Sequence, residues 1–194
     1  MAYIVLGLCA YPALALFEYA SWRNIAVLKG LMGIVAIALP SASLLAMCRD
    51  GAKFSLPGTL SALGWVLAAL FAGLWLYSMF WEIPLGETYL SGGHGHVLIT
   101  EGTYALVRHP TVLWFGFFLL GLVLATRSAL LRVAAPIWWL ADVLYVWAEE
   151  RWYLRRVFPG YAAYQRSTPM WLPTWSSLRR CLTTVLQREN HKEV

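Results

Sequence analysis

The sequence predicts an all-α fold, a polytopic transmembrane helix bundle of about five membrane helices with a cytoplasmic C-terminal helical segment. Three observations predict it. Of 194 residues, 60% are hydrophobic and 13% charged, about half the charged share of a soluble domain. The apolar residues fall into runs of about 20, the length that crosses the hydrocarbon core of a bilayer. Eleven tryptophans and ten tyrosines suit membrane–water interfaces, where amphipathic rings collect. The chain reads as one membrane domain, 1–194. It has a three-helix part at 1–81, a part with a helical hairpin at 82–173 and an amphipathic or polar tail at 174–194.

The first apolar run spans about Tyr3 to Trp22, with Glu18 and Arg23 near its end. No charged segment precedes it, so it is expected to remain as a helix rather than to be cleaved as a signal. No terminal lipidation motif is seen. The second run spans about Ile25 to Cys48 and is expected to break at Pro40. Arg49, Asp50 and Lys53 form a polar turn, and the third run covers Leu60 to Trp81. Residues from Glu82 to Glu101, rich in Gly, His and Thr, read as a loop outside the hydrocarbon. Thr111 to Ala125 and Ala129 to Trp147 are apolar again, with Arg127 and Ser128 between them, as in a tight helical hairpin. The first of these is short for a full crossing, and short segments often line polar cavities. After Trp147, charged and aromatic residues alternate as in a helix that leaves the membrane and lies along its surface. Pro159-Gly160 breaks that helix, Pro169 and Pro173 mark turns, and Trp175 to Leu186 forms a short amphipathic segment.

The net charge is +5, and seven arginines and one lysine lie between Arg151 and Lys192. With five crossings and a cytoplasmic C-terminus, inside segments carry eleven cations and outside segments four. A basic tail beside so much membrane sequence reports orientation and anionic headgroups, and nucleic acid is not an expected partner. Cys9, Cys48 and Cys181 are odd in number and far apart, giving no disulfide framework and no zinc spacing. The glycine-rich Ser91–His96 stretch is not a dinucleotide fingerprint, and His94 and His96 without partners read as loop residues. No metal is expected.

Three clusters carry chemistry. In Gly102-Thr103-Tyr104-Ala105-Leu106-Val107-Arg108-His109-Pro110, Pro110 suits the first turn of a helix. Tyr104, Arg108 and His109 then stand near its positive end, which suits a carboxylate. The competing reading is an interfacial anchor of snorkelling side chains. Glu149-Glu150 follows Asp142 by about two helical turns, so Asp142 and Glu149 share a face. One glutamate can bind a ligand while the other pairs with Arg108 or Arg155; the competing reading is a solvated acidic helix end. Tyr161 and Tyr164, three apart, present one aromatic face able to hold an adenine or a sulfonium, or else a surface turn.

In this order the clusters resemble the superfamily of isoprenylcysteine carboxyl methyltransferases and phospholipid methyltransferases. The residues that carry the resemblance are Gly102-x-Tyr104-x-x-Val107-Arg108-His109-Pro110, Gly116, Gly121, Glu149-Glu150, Phe158-Pro159-Gly160-Tyr161-x-x-Tyr164 and Pro173. It covers about the C-terminal half. The resemblance implies an integral membrane methyltransferase that binds S-adenosylmethionine in a cytoplasm-facing pocket, with a lipophilic or small acceptor entering from the bilayer. Residues 82–173 would be the cofactor-binding part. The implied cofactor site includes Tyr104, Val107, Arg108, His109, Pro110, Glu149, Glu150, Tyr161 and Tyr164. His109, Arg108 and Glu150 are the expected catalytic residues, and Asp142 and Trp114 the expected acceptor-binding residues. A carboxylate acceptor needs no base, whereas a thiol or amine does, and His109 is the nearest suitable group. Two alternatives stand beside this reading: an NADPH-dependent membrane reductase related to sterol reductases, and a non-catalytic membrane carrier or assembly protein.

Overall fold

The computed structural model describes residues 1–49, 51–83 and 97–190, the last four of these by backbone alone. Asp50, the Ser91–His96 stretch with its two histidines, and Lys192 therefore lie outside the described residues. The helices are α1 (Ala2–Leu8), α2 (Ala10–Trp22), α3 (Ala26–Arg49), α4 (Gly58–Leu76), α5 (Thr103–Leu106), α6 (Pro110–Thr126), α7 (Ala129–Glu149), α8 (Arg155–Val157), α9 (Tyr161–Ser167) and α10 (Trp175–Asn190). Two π-helical turns extend long helices: π1 (Tyr77–Trp81) follows α4, and π2 (Glu150–Leu154) follows α7. Among the described residues there is no β-strand beyond one isolated bridge, Lys53 to Ser128.

Among the described residues, four helices are long and apolar enough to cross a membrane: Ala2–Trp22, Ala26–Arg49, Gly58–Trp81 and Ala129–Val157. The fifth expected crossing, Pro110–Thr126, is apolar but has only 17 residues. The expected break at Pro40 does not occur: α3 runs through it to Arg49. Away from water every freed backbone group costs several kcal/mol, so the helix is retained around the one N–H that proline lacks.

The chain forms two units. The first is built from Met1–Ala72 and Phe115–Tyr145. Its core gathers Ile4, Met47, Leu119, Leu131, Ala134 and Trp138. Trp138 donates its indole N–H to the Ile4 carbonyl at 3.0 Å, and Tyr11 donates to the Trp138 carbonyl at 2.7 Å. Gly7 makes this contact possible, since a Cβ there would lie 1.9 Å from the Trp138 ring. The α6–α7 hairpin turns at Arg127, whose φ is +55°. The chain after α3 pins that turn: Phe54 N–H donates to the Arg127 carbonyl and Ala129 N–H to the Ala52 carbonyl, each at 2.9 Å. The second unit contains residues 73–83, 97–114 and 146–190, and it holds the polar clusters.

Candidate functional site

Glu150 is the centre of the second unit. It opens π2, one residue past the regular end of α7. A π turn widens the helix locally and rotates the following side chains, and such turns recur at functional positions. The Glu150 side chain is almost fully buried and both oxygens are engaged. Arg108 approaches as a fork, Nε to Oε1 at 2.6 Å and Nη2 to Oε2 at 3.2 Å. Tyr161 donates its hydroxyl to Oε1 at 2.8 Å, and Gln165 donates to Oε2 at 2.8 Å. His109 Nε2 lies 3.0 Å from Oε1. A bidentate arginine on a carboxylate is among the strongest polar pairings a protein makes.

Local structure explains why these groups converge. Pro110 starts α6, where its missing N–H is no loss. Val107, fully buried with extended backbone (φ −145°, ψ 158°), separates α5 from α6. Arg108 N–H donates to the Pro169 carbonyl at 2.9 Å. Its Nη1 reaches the Thr168 carbonyl at 2.6 Å and the Gln165 carbonyl at 3.3 Å. One side chain thus ties the start of α6 to the end of α7 and to the C-terminal end of α9. Gly160, with φ +86°, turns the chain so that α9 brings Tyr161 and Tyr164 back. Their rings meet edge to face, 5.8 Å between centroids. Tyr164 donates to the Tyr104 carbonyl at 2.7 Å. Burial, and secondarily the Glu150 charge, push the Tyr161 hydroxyl's pKa above its ordinary value. Burial likewise raises that of Tyr164, against the pull of Arg108. Both hydroxyls therefore remain protonated donors across ordinary pH.

A second polar cluster lies in the same unit, and the sequence reading missed it. Glu82 falls at the edge of the expected loop, yet it is 3% exposed. It accepts the Thr103 N–H at 2.8 Å and the Thr103 hydroxyl. Ser78, in π1, lies 2.9 Å from the Thr103 hydroxyl and receives the Trp114 indole N–H at 3.0 Å. Tyr104 donates its hydroxyl to the Ser78 carbonyl at 3.3 Å. Gly102 is required here. Its φ is +62°, and a Cβ would sit 1.8 Å from Glu82 Oε1. Gly102→Ala should therefore cost about 1–3 kcal/mol from the backbone conformation alone, seen as a lower melting temperature in detergent. An unchanged melting temperature would refute the close approach.

Tyr104, Arg108, His109, Glu150, Tyr161 and Tyr164 are thus brought together, with Val107 and Pro110 as buried supports. Trp114 belongs to the Ser78 cluster. Glu149 is partly exposed on the neighbouring turn. Asp142 belongs to the first unit. The sequence reading gives one glutamate to a ligand and the other to Arg108 or Arg155, and the Tyr161–Tyr164 face to an adenine or a sulfonium. Glu150 is the glutamate that pairs with Arg108; His109, Tyr161 and Gln165 also meet its carboxylate, and both tyrosines are buried. Gln165, Thr168 and Trp171, whose ring lies 5.8 Å from that of His109, carry no local pattern by which sequence reasoning could have found them.

No protein-family model matches this chain, and no solved structure does. The cobalt-zinc-cadmium resistance protein CzcN of Cupriavidus metallidurans is 36% identical over 92 residues, 47% of this chain. The chain spans about two fifths of the length of that relative, 42%. This similarity overturns the expectation of a methyl-transferring membrane enzyme: the relative is named as a metal-resistance protein, not as a methyltransferase. The non-catalytic alternative accords with it better.

Proposed function

We propose that the chain is a non-catalytic, multi-pass membrane protein that serves resistance to cobalt, zinc or cadmium as an assembly component. The observation that carries this reading is the 92-residue similarity to a cobalt-zinc-cadmium resistance protein. The geometry supports it in one respect. Glu150 and His109, the side chains of the central cluster with metal-ligating chemistry, are bonded to each other, and Glu150 also to Arg108. The cluster thereby fastens three stretches of chain into one rigid element, as a scaffold requires. The arginines that follow Arg151 orient the C-terminal segment to the cytoplasm by the positive-inside bias.

Deleting the gene from its own host should lower tolerance to at least one of the three metals, and the intact chain supplied in trans should restore it. Undiminished tolerance to all three would refute the assignment. Calorimetric titration of the purified chain in detergent with S-adenosylmethionine and S-adenosylhomocysteine should give no saturable heat. Saturable heat with either compound would refute the non-catalytic part.

A further inference from the structure

The C-terminal helix α10 leaves an apolar stripe exposed on one side. Ser177, Leu178, Arg180, Cys181, Thr184 and Val185, each buried or half-buried, share the other side at helical spacing. This is the side held by the second unit. Ser177 is fully buried, Thr184 Oγ1 accepts the Gly102 N–H at 2.9 Å, and Arg180 donates to the Ser167 carbonyl. The opposite side carries Trp175, Arg179, Leu182 and Leu186, at steps of four, three and four residues. Trp175 is 67% exposed, Leu182 56% and Leu186 61%. A helix packed on a protein in water turns its apolar stripe inward. One that leaves a second apolar stripe facing outward needs an apolar phase on that side as well.

Charge selects what covers it. The Arg179 guanidinium lies over the Trp175 ring, 5.2 Å from its centroid. The Arg151 guanidinium lies over the Trp147 ring at 5.5 Å, and Arg155, Arg156 and Arg166 are exposed in the same unit. A ring at the acyl boundary with a cation above it is the arrangement that snorkelling side chains adopt beneath phosphate headgroups. A purely apolar partner would satisfy the leucines and leave the arginines uncompensated; anionic lipid satisfies both.

We propose that α10 lies in the membrane–water interface as a docking surface for anionic phospholipid. Trp175, Leu182 and Leu186 enter the acyl boundary, and Arg179 takes a headgroup phosphate. A nitroxide at position 186 tests this. It is introduced as Leu186→Cys, with Cys9, Cys48 and Cys181 changed to serine, and the full chain is placed in nanodiscs containing phosphatidylglycerol. Collisions with oxygen should exceed collisions with an aqueous nickel chelate, and the excess should shrink in discs of phosphatidylcholine alone. Dominant nickel collisions would overturn the proposal in favour of a solvated tail. Exclusion of both reagents would overturn it in favour of a protein partner or a second copy. Native mass spectrometry of the otherwise unmodified chain gives an independent reading. Arg179→Gln should weaken phosphatidylglycerol binding about fivefold, the share of one interfacial arginine, and leave phosphatidylcholine unaffected. Equal retention of phosphatidylglycerol by both chains would refute the role of Arg179.

Discussion

Glu150→Gln should destabilise the chain by about 3–5 kcal/mol, the range seen when one partner of a buried ion pair is removed. The substitution keeps the size of the side chain and removes its charge. Arg108, with a side chain 11% exposed, then holds an uncompensated cation among carbonyls. Its bonds to the Thr168 and Gln165 carbonyls remain, but neither acceptor carries charge. The new amide also brings N–H donors to a place where Arg108, Tyr161 and Gln165 already donate. At least one of these must lose its acceptor, at about 1–3 kcal/mol for a buried group left unpaired. Glu149→Gln is the control. Glu149 is partly exposed, and its charge opposes ionisation of the Tyr161 hydroxyl; the change should cost less than about 1 kcal/mol. Unfolding in mixed micelles by increasing dodecyl sulfate, followed by tryptophan fluorescence, reads both. A double-mutant cycle with Arg108→Gln should show the double variant losing less than the sum of the two singles. Strict additivity would mean that the fork between the two side chains contributes nothing.

The same cluster shows where sequence reading succeeds and where it fails. Helix periods, lengths and breakers are local, so the hairpin between Thr111 and Trp147 was legible. It appears as α6 and α7, turning at Arg127 and Ser128. The start of α6 at Pro110 was legible for the same reason: proline accepts only certain helix positions. Pro40 was misread because the rule that proline breaks helices is calibrated on chains that water can solvate. In an apolar phase the unbroken helix is the cheaper state. Convergence of Arg108, Glu150 and Tyr161 was legible only as an ordered set of motifs. That one glutamate pairs with Arg108 was legible as an alternative; which of the two does so was not. The choice of Glu150 depends on the π turn that aims it and on Gln165 and Thr168, which have no pattern of their own. Glu82 was missed for a related reason. It stands at the end of an apolar run and beside a polar stretch, which reads as a solvated boundary, whereas Gly102 leaves space for its carboxylate and the Thr103 N–H satisfies it. The step from site to function failed at a further level. A set of polar residues in a familiar order states which side chains meet, while the use to which a cell puts them lies outside the geometry.

Gly121→Leu should separate two helices of the first unit and cost about 3 kcal/mol or more, at the upper end of overpacking effects. Gly64 and Ala68 on α4 are four residues apart, and so are Gly121 and Ala125 on α6. The two pairs face each other. A Cβ at Gly64 would lie 2.4 Å from the Ala125 backbone nitrogen, and one at Gly121 would lie 2.5 Å from the Ala68 backbone nitrogen. The obstacle is main chain in both cases, so no rotamer change relieves it. Lipid provides no hydrophobic drive between helices, and close backbone approach through small residues is what holds them. That approach also lets Ser61 donate across the crossing to the Ala125 carbonyl at 2.9 Å, and it sets Phe71 against Phe117, 4.7 Å between ring centroids. All of these contacts weaken together if the backbones part. Gly73→Ala, further along the same helix, is the discriminating control. A Cβ at Gly73 meets nothing within 4 Å, so the change should be neutral or stabilise the helix by up to about 1 kcal/mol. The dodecyl sulfate titration should therefore show a large downward shift for Gly121→Leu and none for Gly73→Ala. Equal shifts would mean that helix propensity, and not the approach of α4 to α6, governs this region.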